Sequence, residues 1–205
     1  AAKEKNRQSL GKIIEGKSPA WLNAALRTAC GHGLADAVKL LISSGADVNA
    51  KTKVGQTALL AAVEYGHAEV VKQLLEKGAA VNKRAAKGCG VLSAAVQVGE
   101  PQTLRYLLAH LSIEPQQLFL SNHRIPSEQD DAAAALNIAA ARGSVDIVRM
   151  LFDETPGKTY APLQILKARE LAQAAGKTVA VELLDGFARI ARMSSAVVDS
   201  DLSSP

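Results

Sequence analysis

Apolar positions recur three and four residues apart along most of the chain, which is the spacing of one face of an α-helix. They come in pairs of short runs. Leu22, Ala25, Leu26 and Ala29 mark a first helix, and Val38, Leu41 and Ile42 mark a second that ends at Gly45. The stretch Gly66 to Asn82 repeats this second run and its tail 33 positions on, and Gly99 to Leu108 repeats it once more. In the third pair the core positions are Leu92, Ala95, Val96, Leu104, Leu107 and Leu108. A fixed period of this size means stacked helix-turn-helix units, each burying its apolar face only against its neighbours.

The period then breaks. Leu136 to Gly143 matches Leu59 to Gly66 but lies 77 positions on, which is two periods plus 11. Units are expected at about 19–51, 52–84, 85–111, 129–155 and 163–192, with an insertion at about 112–131. The insertion holds Ile113 to Leu120, a short helix opened by Pro115, and a polar stretch ending in Glu128, Asp130 and Asp131. Leu118, Phe119 and Ile125 are expected to tuck back onto the stack, although insertions of this kind also serve as binding loops. Unit four continues through Val145, Ile147, Val148, Leu151 and Phe152. The last unit is degenerate, with Leu166, Leu171, Ala172, Val179, Val181, Leu183 and Leu184 expected in its core and Phe187 and Ile190 extending it.

At the amino end, residues 1–17 read as a polar segment followed by a capping helix built on Leu10, Ile13 and Ile14, with Ser18-Pro19 as a helix start. Residues 193–205 are Ser-rich with Asp199 and Asp201 and read as a disordered tail.

The segment Gly55-Gln56-Thr57-Ala58-Leu59-Leu60-Ala61-Ala62 through Gly78-Ala79-Ala80-Val81-Asn82 resembles an ankyrin repeat, a family characterised by a 33-residue unit and a T-P-L-H-x-A signature. Ala58 stands for the Pro and Leu60 for the His; Ala24 and Gly90 replace Thr57 in the flanking units, which should weaken the hydrogen bonds that start the inner helices. The resemblance covers roughly Trp21 to Ala191. It implies an all-α ankyrin-repeat solenoid of about four to five units joined by β-turn fingers, with degenerate caps at both ends. It further implies a concave face, made by the fingers and the exposed side of the inner helices, that holds partners.

Composition fits a core-forming protein: of 205 residues, 48% are hydrophobic and only 3% aromatic, so small residues dominate the helix contacts. No apolar run approaches the length of about 18 residues that spans a bilayer. Cys30 and Cys89 stand alone and read as reduced thiols, which points to an intracellular protein, cytoplasmic or nuclear. Residues 1–90 carry 14 Lys/Arg against 7 Asp/Glu, while residues 91–205 carry 10 against 13. The basic half should attract acidic partners.

Catalytic and metal chemistry finds no foothold in the pattern. Gly157-Lys158-Thr159 and Gly176-Lys177-Thr178 lack the earlier Gly of a phosphate loop, where Phe152 and Leu171 stand instead. His32, His67, His110 and His123 show no zinc spacing with the cysteines. His67 reads as a local structural hydrogen bond. No cofactor and no catalytic residue are expected.

The candidate contact residues follow from the resemblance. They are Lys51, Lys53 and Val54 on one finger, Lys83, Arg84 and Lys87 on the next, and His32 and Tyr65 among the exposed inner-helix positions, which are Gly31 and His32, Glu64 and Tyr65, and Gln97 and Val98. Trp21 joins them at the entry of the first unit, although it is expected to pack under the capping helix. Five cations on neighbouring fingers, opposed only by Asp47, point to an acidic or partly acidic peptide held by a monomeric, non-enzymatic interaction module. The alternative is association of the same cations with nucleic acid or anionic lipid, which the scarcity of aromatics for base stacking disfavours.

Overall fold

The computed structural model describes residues 9–81, 90–113, 131–153, 160 and 162–201. Among these residues there are helices and turns and no strand. Two compact units, residues 1–120 and 121–205, divide the chain where the 33-residue period breaks.

The first unit opens with α1 (residues 9–14). Three helix pairs follow: α2 (Pro19–Gly31) with α3 (Ala35–Ser43), α4 (Ala58–Glu64) with α5 (Ala68–Glu76), and α6 (Val91–Val98) with α7 (Pro101–Ile113). The inner helix α4 packs on α2 and α6, and the outer helix α5 packs on α3 and α7. The two faces of a middle repeat are therefore both buried, which explains why α4 is apolar all round from Ala58 to Val63. In α5 the buried set is Val70, Val71, Leu74 and Leu75, with Gln73 beside them. The core positions expected in the third pair, Leu92, Ala95, Val96, Leu104, Leu107 and Leu108, are all buried.

The helix starts are satisfied by different means. Thr57 Oγ1 accepts from the Leu60 N–H at 3.1 Å, the usual way of using one of the unpaired N–H groups of a first turn. Gly90 has no such oxygen, and Ser93 compensates by accepting from the Gly90 N–H at 3.1 Å. In the first pair Ala24 lies inside α2, because Ser18 caps that helix earlier, accepting from the Trp21 N–H at 3.3 Å, with Pro19 in the first turn. At the far end of α3, Gly45 takes φ +95° and lets the Ala46 N–H turn back to the Leu41 carbonyl at 3.0 Å.

Asn49 ties one repeat to the next. Its Nδ2 donates to the Gly78 carbonyl at 2.9 Å and its Oδ1 accepts from the Ala80 N–H at 2.9 Å. Because each bond closes across about one period, it fixes the stacking register as well as the local turn.

The second unit pairs α8 (Asp131–Arg142) with α9 (Val145–Asp153) and α10 (Pro162–Ala174) with α11 (Thr178–Asp201). Helix α10 packs on α8 and α11, and α9 packs on α8 and α11. Phe152 stacks on Phe187 with ring centroids 3.8 Å apart and lies against the buried Tyr160 at 4.9 Å.

Several expectations are corrected here. In the last pair the buried stripe is Ile165, Ala168, Ala172, Ala180, Leu184 and Ala188, while Leu166, Leu171, Val179 and Ile190 are exposed. The stripe is rotated because Arg169 and Gln173 stand seven and three positions before Gly176, where α4 has Leu59 and Val63 before Gly66. Arg169 donates to Asp185 at 2.6 Å and to Gln173 at 3.1 Å, so a polar cluster takes the place of core residues. Of the capping-helix residues only Ile14 is buried; Leu10 and Ile13 are exposed. The tail expected to be disordered from residue 193 is helical to Asp201, since no Gly or Pro interrupts the backbone between Phe187 and Asp201. The short helix and loop read into 114–130 lie outside the described residues.

Candidate interaction face

The first finger is a tight turn. The Gly55 N–H donates to the Thr52 carbonyl at 2.9 Å, so Lys53 and Val54 occupy the two central positions, and Gly55 follows with φ +77°. Two further bonds close it, from the Thr52 N–H to the Gln56 carbonyl at 3.1 Å and from the Gln56 N–H to Thr52 Oγ1 at 3.0 Å. Lys51, Lys53 and Val54 are all exposed. At the base of the finger, Gln56 Nε2 donates to Glu64 Oε2 at 3.0 Å. That bond links the finger to the last turn of α4, next to Tyr65, and puts finger and helix end on one side of the repeat.

Tyr65 caps α4 and is 67% exposed. Its ring lies against Gly31, where a Cβ would meet Tyr65 Cδ2 and Cε2 at 3.6 Å. The His67 ring lies nearly parallel to it, 6.5 Å between centroids at 21°. His67 is itself fixed: its Nε2 donates to the Gly31 carbonyl at 3.0 Å. A carbonyl can only accept, so the proton sits on Nε2. The hydrogen bond expected for His67 was a local one; the bond it makes instead reaches 36 positions back and ties its repeat to the one before. One repeat on, Val98, 42% exposed, lies 3.6 Å from the Cβ position of Gly66, the counterpart of Gly33 and not of Gly31. His32 holds the corresponding place in the first repeat, exposed, with Nδ1 donating to the Thr28 carbonyl at 2.9 Å. His32, Tyr65 and Val98 thus form a row in register, one residue per repeat.

Trp21 is corrected from packed to accessible. It is 40% exposed, and the Lys17 ammonium lies 5.6 Å from its ring centroid. The exposed Ile13 and Leu10 show why: α1 buries only Ile14, so little of it covers the indole. Lys83, Arg84 and Lys87, the second finger, lie outside the described residues, so the neighbourhood of the two basic fingers is an expectation only. The charge balance also shifts, because Glu64, as well as the exposed Asp47, carries a carboxylate beside the first finger. The row falls on the exposed inner-helix positions that the resemblance implies; the Gln56–Glu64 bond was not read from the sequence.

Titration marks two groups outside this face. Burial pushes the Cys30 thiol up to about 12, which leaves it a neutral, unreactive core residue. Glu100, at the start of α7, is raised by partial burial but pulled further down by hydrogen bonds from Thr103 and from the Gln102 N–H, so its pKa lies below the ordinary carboxylate value. Among the described residues no group of three or more His, Cys, Asp or Glu could hold a metal ion, and no helix is long and apolar enough to cross a membrane.

A family model described as ankyrin repeats in three copies matches residues 1–85 and 24–118. Nothing among the curated proteins matches the chain.

Proposed function

The chain belongs to the ankyrin-repeat family, and on that premise we propose that its first unit holds an acidic or partly acidic segment of another protein against the first finger and the inner-helix ends. Repeats of this family generally mediate protein–protein interaction and are typically non-enzymatic. The contact residues in this reading are Lys51, Lys53 and Val54 on the finger, with Tyr65 and His32 on the helix ends. Lys83, Arg84 and Lys87, which lie outside the described residues, and Trp21 at the entry of the first repeat are further contact residues in this reading.

One observation carries the reading. The bond from Gln56 to Glu64 ties the base of the finger to the last turn of α4, which Tyr65 ends, and this supports reading the two lysines and the exposed ring as one contact surface. Cations set the partner's sign and speed its approach, while the aromatic contributes the larger share of contact energy. Glu64 and Asp47 limit the positive field, which selects a mixed segment over a uniformly anionic polymer. We place this activity inside the cell, consistent with the buried Cys30 thiol.

The test is capture of a fluorescein-labelled acidic peptide by the intact chain, followed by polarisation. Lys51→Glu with Lys53→Glu should weaken binding at least tenfold without altering the circular dichroism spectrum. Tyr65→Ala should weaken it in a way that high salt does not reproduce. Unchanged binding in both variants contradicts the proposal, and a steep salt dependence shared with single-stranded DNA would favour phosphate contacts instead.

A further inference from the structure

If the first unit is the interaction face proposed above, the row of His32, Tyr65 and Val98 bears on the partner's conformation as well as its charge. Tyr65 lies against Gly31 and Val98 lies against the Cβ position of Gly66, so each of these side chains meets the preceding repeat at a glycine. Adjacent packed helices lie about 8–10 Å apart, and this sets the interval at which the strip repeats. An extended β-strand matches it poorly, because side chains on one face recur at about 7 Å or 13 Å. A polyproline II segment has three residues per turn at about 3.1 Å each, so one face presents a side chain about every 9 Å.

We propose that this strip binds a polyproline II segment of another protein, with an apolar side chain at every third position and acidic residues between them. The apolar residues rest on His32, Tyr65 and Val98, one to each repeat. The acidic residues turn toward Lys51 and Lys53 at the finger, which supplies the complementary charge. The backbone of such a segment has no internal hydrogen bonds, and its free carbonyls accept from the exposed Tyr65 hydroxyl and the Lys53 ammonium. Aromatic-lined surfaces favour this conformation because it is ordered before it binds.

Three labelled twelve-residue peptides of one composition, four Leu, four Pro and four Glu, test the period on the intact chain. One repeats Leu-Pro-Glu; the second sets its four Leu at every other position of one stretch, with Pro and Glu filling the rest; the third gathers its Leu at one end. A twelve-residue all-Glu peptide reports charge alone. The period-three peptide should bind at least tenfold more tightly than its two isomers, and Tyr65→Ser or Val98→Ser should remove that advantage. Both positions are exposed, and the circular dichroism spectrum checks that the variants fold. Equal binding of the isomers overturns the proposal. If that equal binding, together with the all-Glu peptide's, still falls with Lys51→Glu and Lys53→Glu, the acidic-partner reading survives it. If none of the four peptides binds, both readings fall.

Discussion

Replacing Gly33 with Ala tests the joint between the first two repeats. Gly33 has φ +68°, and a Cβ there would meet His67 Nδ1 at 2.7 Å, Cε1 at 2.9 Å and Cγ at 3.0 Å. The His67 ring cannot swing away freely, because its Nε2 is committed to the Gly31 carbonyl at 3.0 Å. Two costs add. A left-handed backbone costs a non-glycine residue about 1–2 kcal/mol, and loss of the His67 bond costs about 0.5–1.5 kcal/mol. Gly78 is the matched control: φ is +78° and nothing lies within 4 Å of its Cβ position, so Gly78→Ala carries the backbone cost alone. Urea unfolding of the two variants, followed at 222 nm, should therefore show Gly33→Ala less stable than Gly78→Ala by about 0.5–1.5 kcal/mol. In a His67→Ala background that excess should vanish, since the group it collides with is gone. An equal effect of the two glycine variants, or an excess that survives His67→Ala, would refute the account of this joint.

Other outcomes follow from burial and bonding. Leu107→Ala removes a fully buried side chain and should cost about 2–5 kcal/mol in the same assay, whereas Lys53→Glu on the exposed finger should leave the unfolding midpoint where it was. Asn49→Ala leaves the Gly78 carbonyl and Ala80 N–H without their partner and should cost about 1–3 kcal/mol; an isosteric Asn49→Asp, which cannot donate to Gly78, should recover part of this at most. The Cys30 thiol, raised by burial to about 12, contributes stability that is present at neutral pH and declines as pH rises above its ordinary value of 9.0. Urea midpoints measured between pH 8 and pH 11 should fall in the native chain and fall less in Cys30→Ala.

The repeat architecture was legible because each middle unit must bury both faces, and that demand writes the same residues every 33 positions. The core of α4 and of the third pair could be read off directly for this reason. The last pair could not, since Leu166 and Ile165 are neighbours in sequence and only the packing of α10 on α8 decides which one turns inward. Arg169 and Gln173 in core positions were the available clue. Trp21 failed for a different reason: its burial depends on how much of α1 reaches it, which is a tertiary contact with no local signature. The candidate face was half legible. Lys53 and Val54 follow from turn position, but the bond that swings Glu64 to Gln56 joins two side chains eight residues apart with no pattern to announce it.

The most direct test of the interaction face is a hydrogen-exchange footprint of the intact chain with and without a bound acidic peptide. The account predicts slowed exchange at residues 51–56 and at the helix ends around 31–32 and 64–66, with the outer helices α3 and α5 unchanged. Protection confined to α3 and α5, with the finger exchanging as in the free chain, would contradict it.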